Sequence, residues 1–136
     1  KVLLKVVARR LSAYCAAKGL LPKEQCVFRP NRSTADMMFV VCRLQEVGRK
    51  AGVSLHICFI NLQKAYDSID RTLLWQVLTR IGVPPQMIAV IESFNDWGAC
   101  VRPDESSDWF EVEQGLRQGC VLSPLLFNIF FTAVLN

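Results

Sequence analysis

Apolar residues recur at steps of three and four through the start of the chain: Leu4, Val7, Leu11, Tyr14 and Cys15. That period predicts an amphipathic helix over 1–18, with Lys1, Lys5 and Arg9 as a separate basic stripe. Gly19 is placed to close it, and Pro22 prevents its continuation. A second helix is predicted after Ser33, with Met37, Met38, Val41, Leu44 and Val47 on its apolar face and Gly48 and Gly52 at its end. Ser33 and Asp36 have capping-box spacing, although Asp is a poorer third-position partner than Glu.

From 53 to 60 the period changes to two. Val53, Leu55, Ile57 and Phe59 alternate with Ser54, His56 and Cys58, which predicts a strand. Asp70 is placed to cap a third helix containing Leu73, Leu74, Val77, Leu78 and Ile81. Gly82 and Pro84-Pro85 separate it from a fourth, with Met87, Ile88, Ile91 and Phe94. Residues 98–102 and 108–113 have the pattern of a hairpin, with a polar tip at 103–107. A last apolar helix, LLFNIFFTAVL, follows Ser123-Pro124, with Ser123 as the expected N-cap and Pro124 in the first turn. The sum is an α+β domain in which helices pack on a small antiparallel sheet.

Composition narrows the picture. A chain of 136 residues suits one domain with a sizeable core. No apolar run reaches the roughly 20 residues of a membrane span. The chain starts at Lys1 and shows no signal-peptide pattern, which suggests a piece of a longer, intracellular protein, nuclear or cytoplasmic and not secreted. Six cysteines without CxxC spacing and one histidine, His56, read as buried thiols and a structural side chain rather than a zinc site. Charge is uneven: residues 1–50 carry 11 Lys/Arg against 3 Asp/Glu, a net of +8, while 51–136 carry 5 against 9, a net of −4. The basic part suits either a polyanion partner or solvated helix faces.

The most chemically informative string is GLRQGCVLSPLLFN, 115–128. Gly119 lets a flat ligand approach the backbone, since it has no Cβ. A glycine loop that feeds a helix start is a good seat for a polar ligand. This string resembles motif B of reverse transcriptases from non-LTR (LINE-type) retrotransposons. The resemblance implies that Gln118 and Gly119 face the incoming nucleotide or the template base.

Upstream, FINLQKAYDSIDR (59–71) is similar to motif A of the same family, Phe-(Ile/Val)-Asp-Leu-x-Lys-Ala-(Phe/Tyr)-Asp. The position that fails is the family's catalytic aspartate, which here is Asn61. Two-metal nucleotidyl transfer needs carboxylates bridging ions about 3.5–4 Å apart, and Mg²⁺ prefers anionic oxygen. A carboxamide brings no charge. Asp67 and Asp70, further along, read as a turn or helix-start residue and a cap, and neither is an obvious substitute. Tyr66 stands at the family's steric-gate position, where an aromatic ring excludes a ribose 2′-OH; the other reading is a core aromatic.

EQCVFRPNRSTADMMFVVCRL (24–44) resembles the family's fingers motif, Gln-x-Gly-Phe-Arg-Pro-x-Arg-Ser-Thr-x-Asp, with Val27 in place of its glycine. Arg29 and Arg32 are candidates for phosphate contacts through their guanidinium forks; the alternative is internal pairing, for example Arg32 with Asp36. KVLLKVVARRL (1–11) is similar to the helix before the fingers, and DWFEVEQGLRQG (108–119) to the lead into motif B. The resemblance runs nearly end to end, with matching spacing. It implies a polymerase-type fingers/palm fragment, without the motif C hairpin or thumb, divided as fingers-like helices at 1–52 and partial palm at 53–136.

The intact family copies RNA into DNA with Mg²⁺ and deoxynucleoside triphosphates on a DNA primer. For this chain the resemblance implies a reverse-transcriptase-like fragment, inactive as it stands and holding no metal of its own. The alternatives are a nucleic-acid-binding remnant or part of a longer active polymerase. No membrane association and no specific protein partner are implied.

Overall fold

In a computed structural model the described residues are 2–29, 31–96, 98–99, 108, 110–112 and 114–135. They form five helices and one short antiparallel pair. The helices are α1 (Val2–Lys18), α2 (Thr34–Ala51), α3 (Arg71–Arg80), α4 (Pro85–Asn95) and α5 (Ser123–Leu135). The pair is β1 (Gly98–Ala99) against β2 (Phe110–Glu111), with Gly98 opposite Glu111. The rest of the expected hairpin, including its tip, lies outside the described residues. The chain divides into two compact units, Lys1–Leu21 with Lys64–Asn136, and Pro22–Gln63.

The larger unit holds the core. Leu11 of α1, Leu74 and Leu78 of α3, Ile91 of α4 and Leu126 of α5 are all fully buried, with Ile69, Leu116 and Leu122 from the connecting segments. α3 packs against both α4 and α5. Gly82 ends α3 with φ +82, and the Val83 N–H returns to the Leu78 carbonyl at 3.0 Å. The Tyr14 hydroxyl on α1 donates to the Gly82 carbonyl at 2.6 Å, with the Ile81 carbonyl at 3.0 Å. A Cβ on Gly82 would sit 3.1 Å from that hydroxyl, so both the turn and the contact favour glycine here. At the start of α3 the Asp70 carboxylate accepts the Leu73 N–H at 3.0 Å, as the sequence predicts.

The smaller unit is built differently. α2 begins where Ser33 and Asp36 predict: the Asp36 carboxylate takes the Ser33 N–H at 2.7 Å. It runs through Gly48 and ends at Gly52 (φ 66), with the Val53 N–H on the Gly48 carbonyl. Its expected apolar face is not buried. Met38, Leu44 and Val47 are each at least half exposed, and no residue of α2 is buried. The segment 53–60 is not a strand, because no ladder among the described residues pairs its backbone. Its two faces are alike: Phe59 is 85% and Ile60 80% exposed. Alternation gives a strand only a face, and a strand also needs a neighbour to take its N–H and C=O groups.

Two further expectations change. Cys15 and Cys26 are buried, but Cys42 and Cys58 are exposed and Cys120 is half-buried. His56 is exposed rather than packed. Among the described residues no helix is long and apolar enough to cross a membrane.

These contrasts predict stability unit by unit. Amide exchange should be slowest in α3 and α5 and fast throughout α2, despite its well-formed ends, since exchange follows buried packing. Leu126→Ala should cost about 2–5 kcal/mol in chemical denaturation.

Burial also raises the Cys15 thiol from its ordinary 9.0 to about 11. At mildly alkaline pH its reactive thiolate is therefore scarce as well as shielded. In the native protein iodoacetamide should label Cys42 and Cys58 well before Cys15, as mass spectrometry of timed samples would show.

Candidate functional site

The functional geometry of the larger unit is a seam between two segments far apart in sequence. The first, 66–71, begins within the turn that Lys64 opens, where Lys64 takes a left-handed φ of 48 and the Ser68 N–H bonds the Lys64 carbonyl. The second, 114–118, leads into α5. They run antiparallel, with Asp70 bridged to Gln114. The Gly115 N–H donates to the Ile69 carbonyl and the Leu116 N–H to the Tyr66 carbonyl, each at 2.9 Å. The Arg71 guanidinium spans the end of the seam. Its Nε donates to the Gly115 carbonyl at 2.8 Å and its Nη2 to the Gln114 carbonyl at 3.2 Å. Partial burial lowers the Arg71 pKa, offset in part by the nearby Asp96 carboxylate.

Gly115 is the tightest point. Its φ is +85, and a Cβ there would meet the Asp67 Cα at 3.0 Å, the Asp67 carbonyl at 3.1 Å and the Tyr66 carbonyl at 3.2 Å. Glycine is required twice over, by backbone conformation and by the closeness of the facing chain. Gly119 differs. Its φ is +78, yet a Cβ would meet nothing within 4 Å. The space above Gly119 is open, as a seat for a flat ligand needs.

The loop is held from behind as well. Ser123 does not cap α5; it lies inside the helix, and its buried hydroxyl donates to the Arg117 carbonyl at 2.8 Å. The Leu122 carbonyl instead accepts the Leu126 N–H and so opens the helix. The serine therefore ties the loop to α5 rather than starting the helix. A cavity of about 510 Å³ lies along the loop, lined by Arg117 to Val121 with Leu4 of α1 and Phe94 of α4.

Of the residues singled out in sequence, Tyr66, Gln118 and Gly119 come together on this seam and loop. The Tyr66 ring is half-buried against Phe127 of α5, with centroids 5.1 Å apart, and Phe127 in turn stacks on Phe131 at 5.7 Å. Burial raises the Tyr66 phenol pKa and keeps it neutral. The Gln118 carboxamide donates to the Asp67 carboxylate, with Nε2 at 3.2 Å from Oδ1 and 3.5 Å from Oδ2.

Arg29, Arg32 and Asn61 belong to the smaller unit. Arg29 donates through Nη1 to the Pro22 carbonyl, a link that shapes its own loop. Phe28 beside it takes a left-handed φ of 56, costly for a bulky residue, where the family pattern has glycine one position earlier. Arg32 is exposed, and the Asp36 carboxylate that sequence offered as its partner bonds Ser33 instead. Asn61 is exposed just after the 53–60 segment. Sequence reasoning missed the functional side of Asp67, Arg71 and Ser123. Their partners lie 51, 44 and 6 residues away, and only the fold brings the first two to the loop.

A glycine loop pinned against an acidic turn at the mouth of a helix is a scaffold for presenting backbone and side-chain groups to a ligand, and comparison identifies its class. The chain belongs to the reverse transcriptase (RNA-dependent DNA polymerase) family, whose profile matches residues 1–136. Within that family its relatives are non-LTR retrotransposon proteins. It is 25% identical over 134 residues, 95% of this chain, to the transposon TX1 uncharacterized 149 kDa protein of Xenopus laevis. It is 27% identical over 121 residues, 88% of this chain, to the Pol polyprotein of the type-2 element R2DM of Drosophila melanogaster. The RNA-directed DNA polymerase from mobile element jockey of Drosophila funebris matches at 26% over 134 residues, 96% of this chain. The chain spans 10%, 11% and 14% of these three relatives, so it corresponds to a small part of each.

The seam predicts a contrast between its two glycines. Gly119→Ala should cost roughly 1–2 kcal/mol, the strain of a left-handed alanine alone. Gly115→Ala should cost distinctly more, because the seam must open to admit the methyl. Ser123→Ala, which leaves the Arg117 carbonyl with the Cys120 N–H, should cost about 0.5–1.5 kcal/mol, the net worth of one hydrogen bond. Urea denaturation of the three variants checks the order.

Proposed function

We propose that the chain is the part of a non-LTR reverse transcriptase that carries fingers-like helices (1–52) and a partial palm (53–136), and that its parent protein is an RNA-directed DNA polymerase. The observation that carries this reading is the seam joining the motif A turn to the motif B loop, with Gln118 and the open space over Gly119 facing outward. In this reading those two residues meet the nucleotide or the template base. Tyr66, its ring fixed by Phe127, gates the sugar. Arg29 and Arg32 approach phosphates. The segment 53–60, with Val53, Leu55, Ile57 and Phe59 on alternate positions, is a palm strand whose neighbours lie elsewhere in the parent protein.

The residues present do not fit the family's Mg²⁺ pair. Asn61 is a neutral oxygen donor where a carboxylate is needed, and a lost ligand charge costs more than the roughly 10–100-fold typical of outer-shell changes. The nearby carboxylates are engaged: Asp67 accepts from Gln118 and Asp70 caps α3. No metal-dependent step is therefore assigned to this chain, and we read it as catalytically inactive.

What remains in this reading is polynucleotide binding, to an RNA template with a DNA primer. The net +8 of residues 1–50 favours it as a second, purely binding function. Binding of the chain to a fluorescent RNA–DNA primer–template should weaken steeply between low and physiological salt, as counterion release demands. Affinity flat with salt would sink the binding reading. The chain should incorporate no labelled deoxynucleotide with Mg²⁺ present, and Asn61→Asp alone should not change that; extension of the primer by either protein would refute the inactive assignment.

A further inference from the structure

The Asp67–Gln118 pair decides which face of the Gln118 carboxamide is offered to a ligand. An ionised carboxylate only accepts hydrogen bonds, whereas a carboxamide has one end that donates and one that accepts. Against Asp67 the carboxamide must therefore turn its NH₂ inward, since the flipped form would set two acceptor oxygens face to face. The structure has this arrangement, with Nε2 at 3.2 Å from Asp67 Oδ1. The carbonyl is then the end left over, and no described residue donates to it.

Both side chains are exposed, and an exposed pair of this kind is weak if its backbones wander. Here they do not. The Leu116 N–H on the Tyr66 carbonyl fixes the two chains one and two residues from the pair. Gly115 brings the second chain onto the Asp67 backbone itself, and Ser123 holds the Arg117 carbonyl next to Gln118. The entropy of bringing the two partners together is spent in forming the seam, so the side-chain bond costs little more to make.

We propose that Asp67 is a positioning residue for the ligand-facing loop: by holding the Gln118 NH₂ it presents the Gln118 carbonyl, so that this position reads a hydrogen-bond donor on the nucleic acid and disfavours an acceptor. This rests on the reading that Gln118 faces nucleotide or template. It adds the polarity of the contact and the residue that sets it. The donors that a template presents are ribose 2′-hydroxyls and base N–H groups, and a nucleotide or primer end adds its 3′-hydroxyl; phosphate oxygens are acceptors, so Gln118 is not a phosphate contact.

The test has two arms. In the first, the side-chain amide resonances of Gln118 are followed in the ¹⁵N-labelled chain, assigned by their loss in Gln118→Leu. Asp67→Ala should move them to the positions of free glutamine carboxamides, while Asp67→Asn, which can still accept through its own carbonyl, should move them less. Resonances unchanged in Asp67→Ala would overturn the pairing.

In the second arm, affinity is measured for an RNA–DNA primer–template, for the same duplex with a DNA template, and for the duplex with hypoxanthine replacing the templating guanine. The last two remove 2′-hydroxyl and exocyclic N–H donors. At least one removal should weaken binding to the unaltered chain roughly fivefold, the value of about one hydrogen bond. That penalty should disappear in both Asp67→Ala and Gln118→Leu, because a double-mutant cycle isolates the shared contact. A penalty that persists in Asp67→Ala, or no penalty for either probe, overturns the donor-reading role. If no probe binds at all, the nucleic-acid reading of the loop fails and the donor-reading role with it, while the resonances still decide whether Asp67 holds Gln118. Should Asp67→Ala not fold, Asp67→Leu serves in its place in both arms; it is close to aspartate in size and offers no acceptor to the Gln118 NH₂.

Discussion

The structure of the larger unit depends on the seam between 66–71 and 114–118. Two backbone hydrogen bonds and the Arg71 fork close a loop of more than forty residues, and the glycine loop at 117–121 hangs from that closure. The closure is possible because position 115 has no side chain. The cost in chain entropy is met by the helices inside the loop: α3 and α4 pack on one another, and their buried residues join those of α1 and α5 in one cluster. The seam and the core therefore support each other, and neither segment of the seam would be held by its local sequence alone.

The two units show how much a pattern of apolar residues can and cannot specify. α2 has ends as well defined as those of any helix in the chain, with Asp36 on the Ser33 N–H and Gly52 in the left-handed region. Local chemistry sets those ends, so the sequence declares them. The same local rules located Gly19, Asp70 and Pro85. Burial is a different matter. Met38, Phe39 and Leu44 carry an apolar signature as strong as that of α3, yet they are exposed, because burial is a property of a partner and not of the helix.

The strand expected at 53–60 fails for the same reason, and its failure is informative. Alternation of Val53, Leu55, Ile57 and Phe59 is real, but pairing needs another backbone in register. At the glycine loop, the family pattern marks Gln118 and Gly119, and neither pattern nor period marks Asp67 as their neighbour. A contact between residues 51 apart leaves no periodic trace. Ser123 shows a subtler competition: Ser before Pro is a good N-cap signal, but a serine hydroxyl can also bond a nearby carbonyl, and here it takes that of Arg117.

The three carboxylate positions of the motif A region respond to different constraints. Asp70 holds the first turn of α3, and Asp67 sits under the seam beside Gln118, so a change at either disturbs the fold or the loop. Asn61 lies exposed where no described hydrogen bond of its own unit uses its side chain. In the proposed reading a carboxylate at 61 would serve only the metal, and it would contribute repulsion to any other carboxylate brought near it in the folded protein. Replacing it by asparagine removes the chemistry and asks nothing of the scaffold. A sequence released from catalysis can therefore lose position 61 first and still keep the seam, the caps and the glycine loop, because those residues are held by folding rather than by turnover.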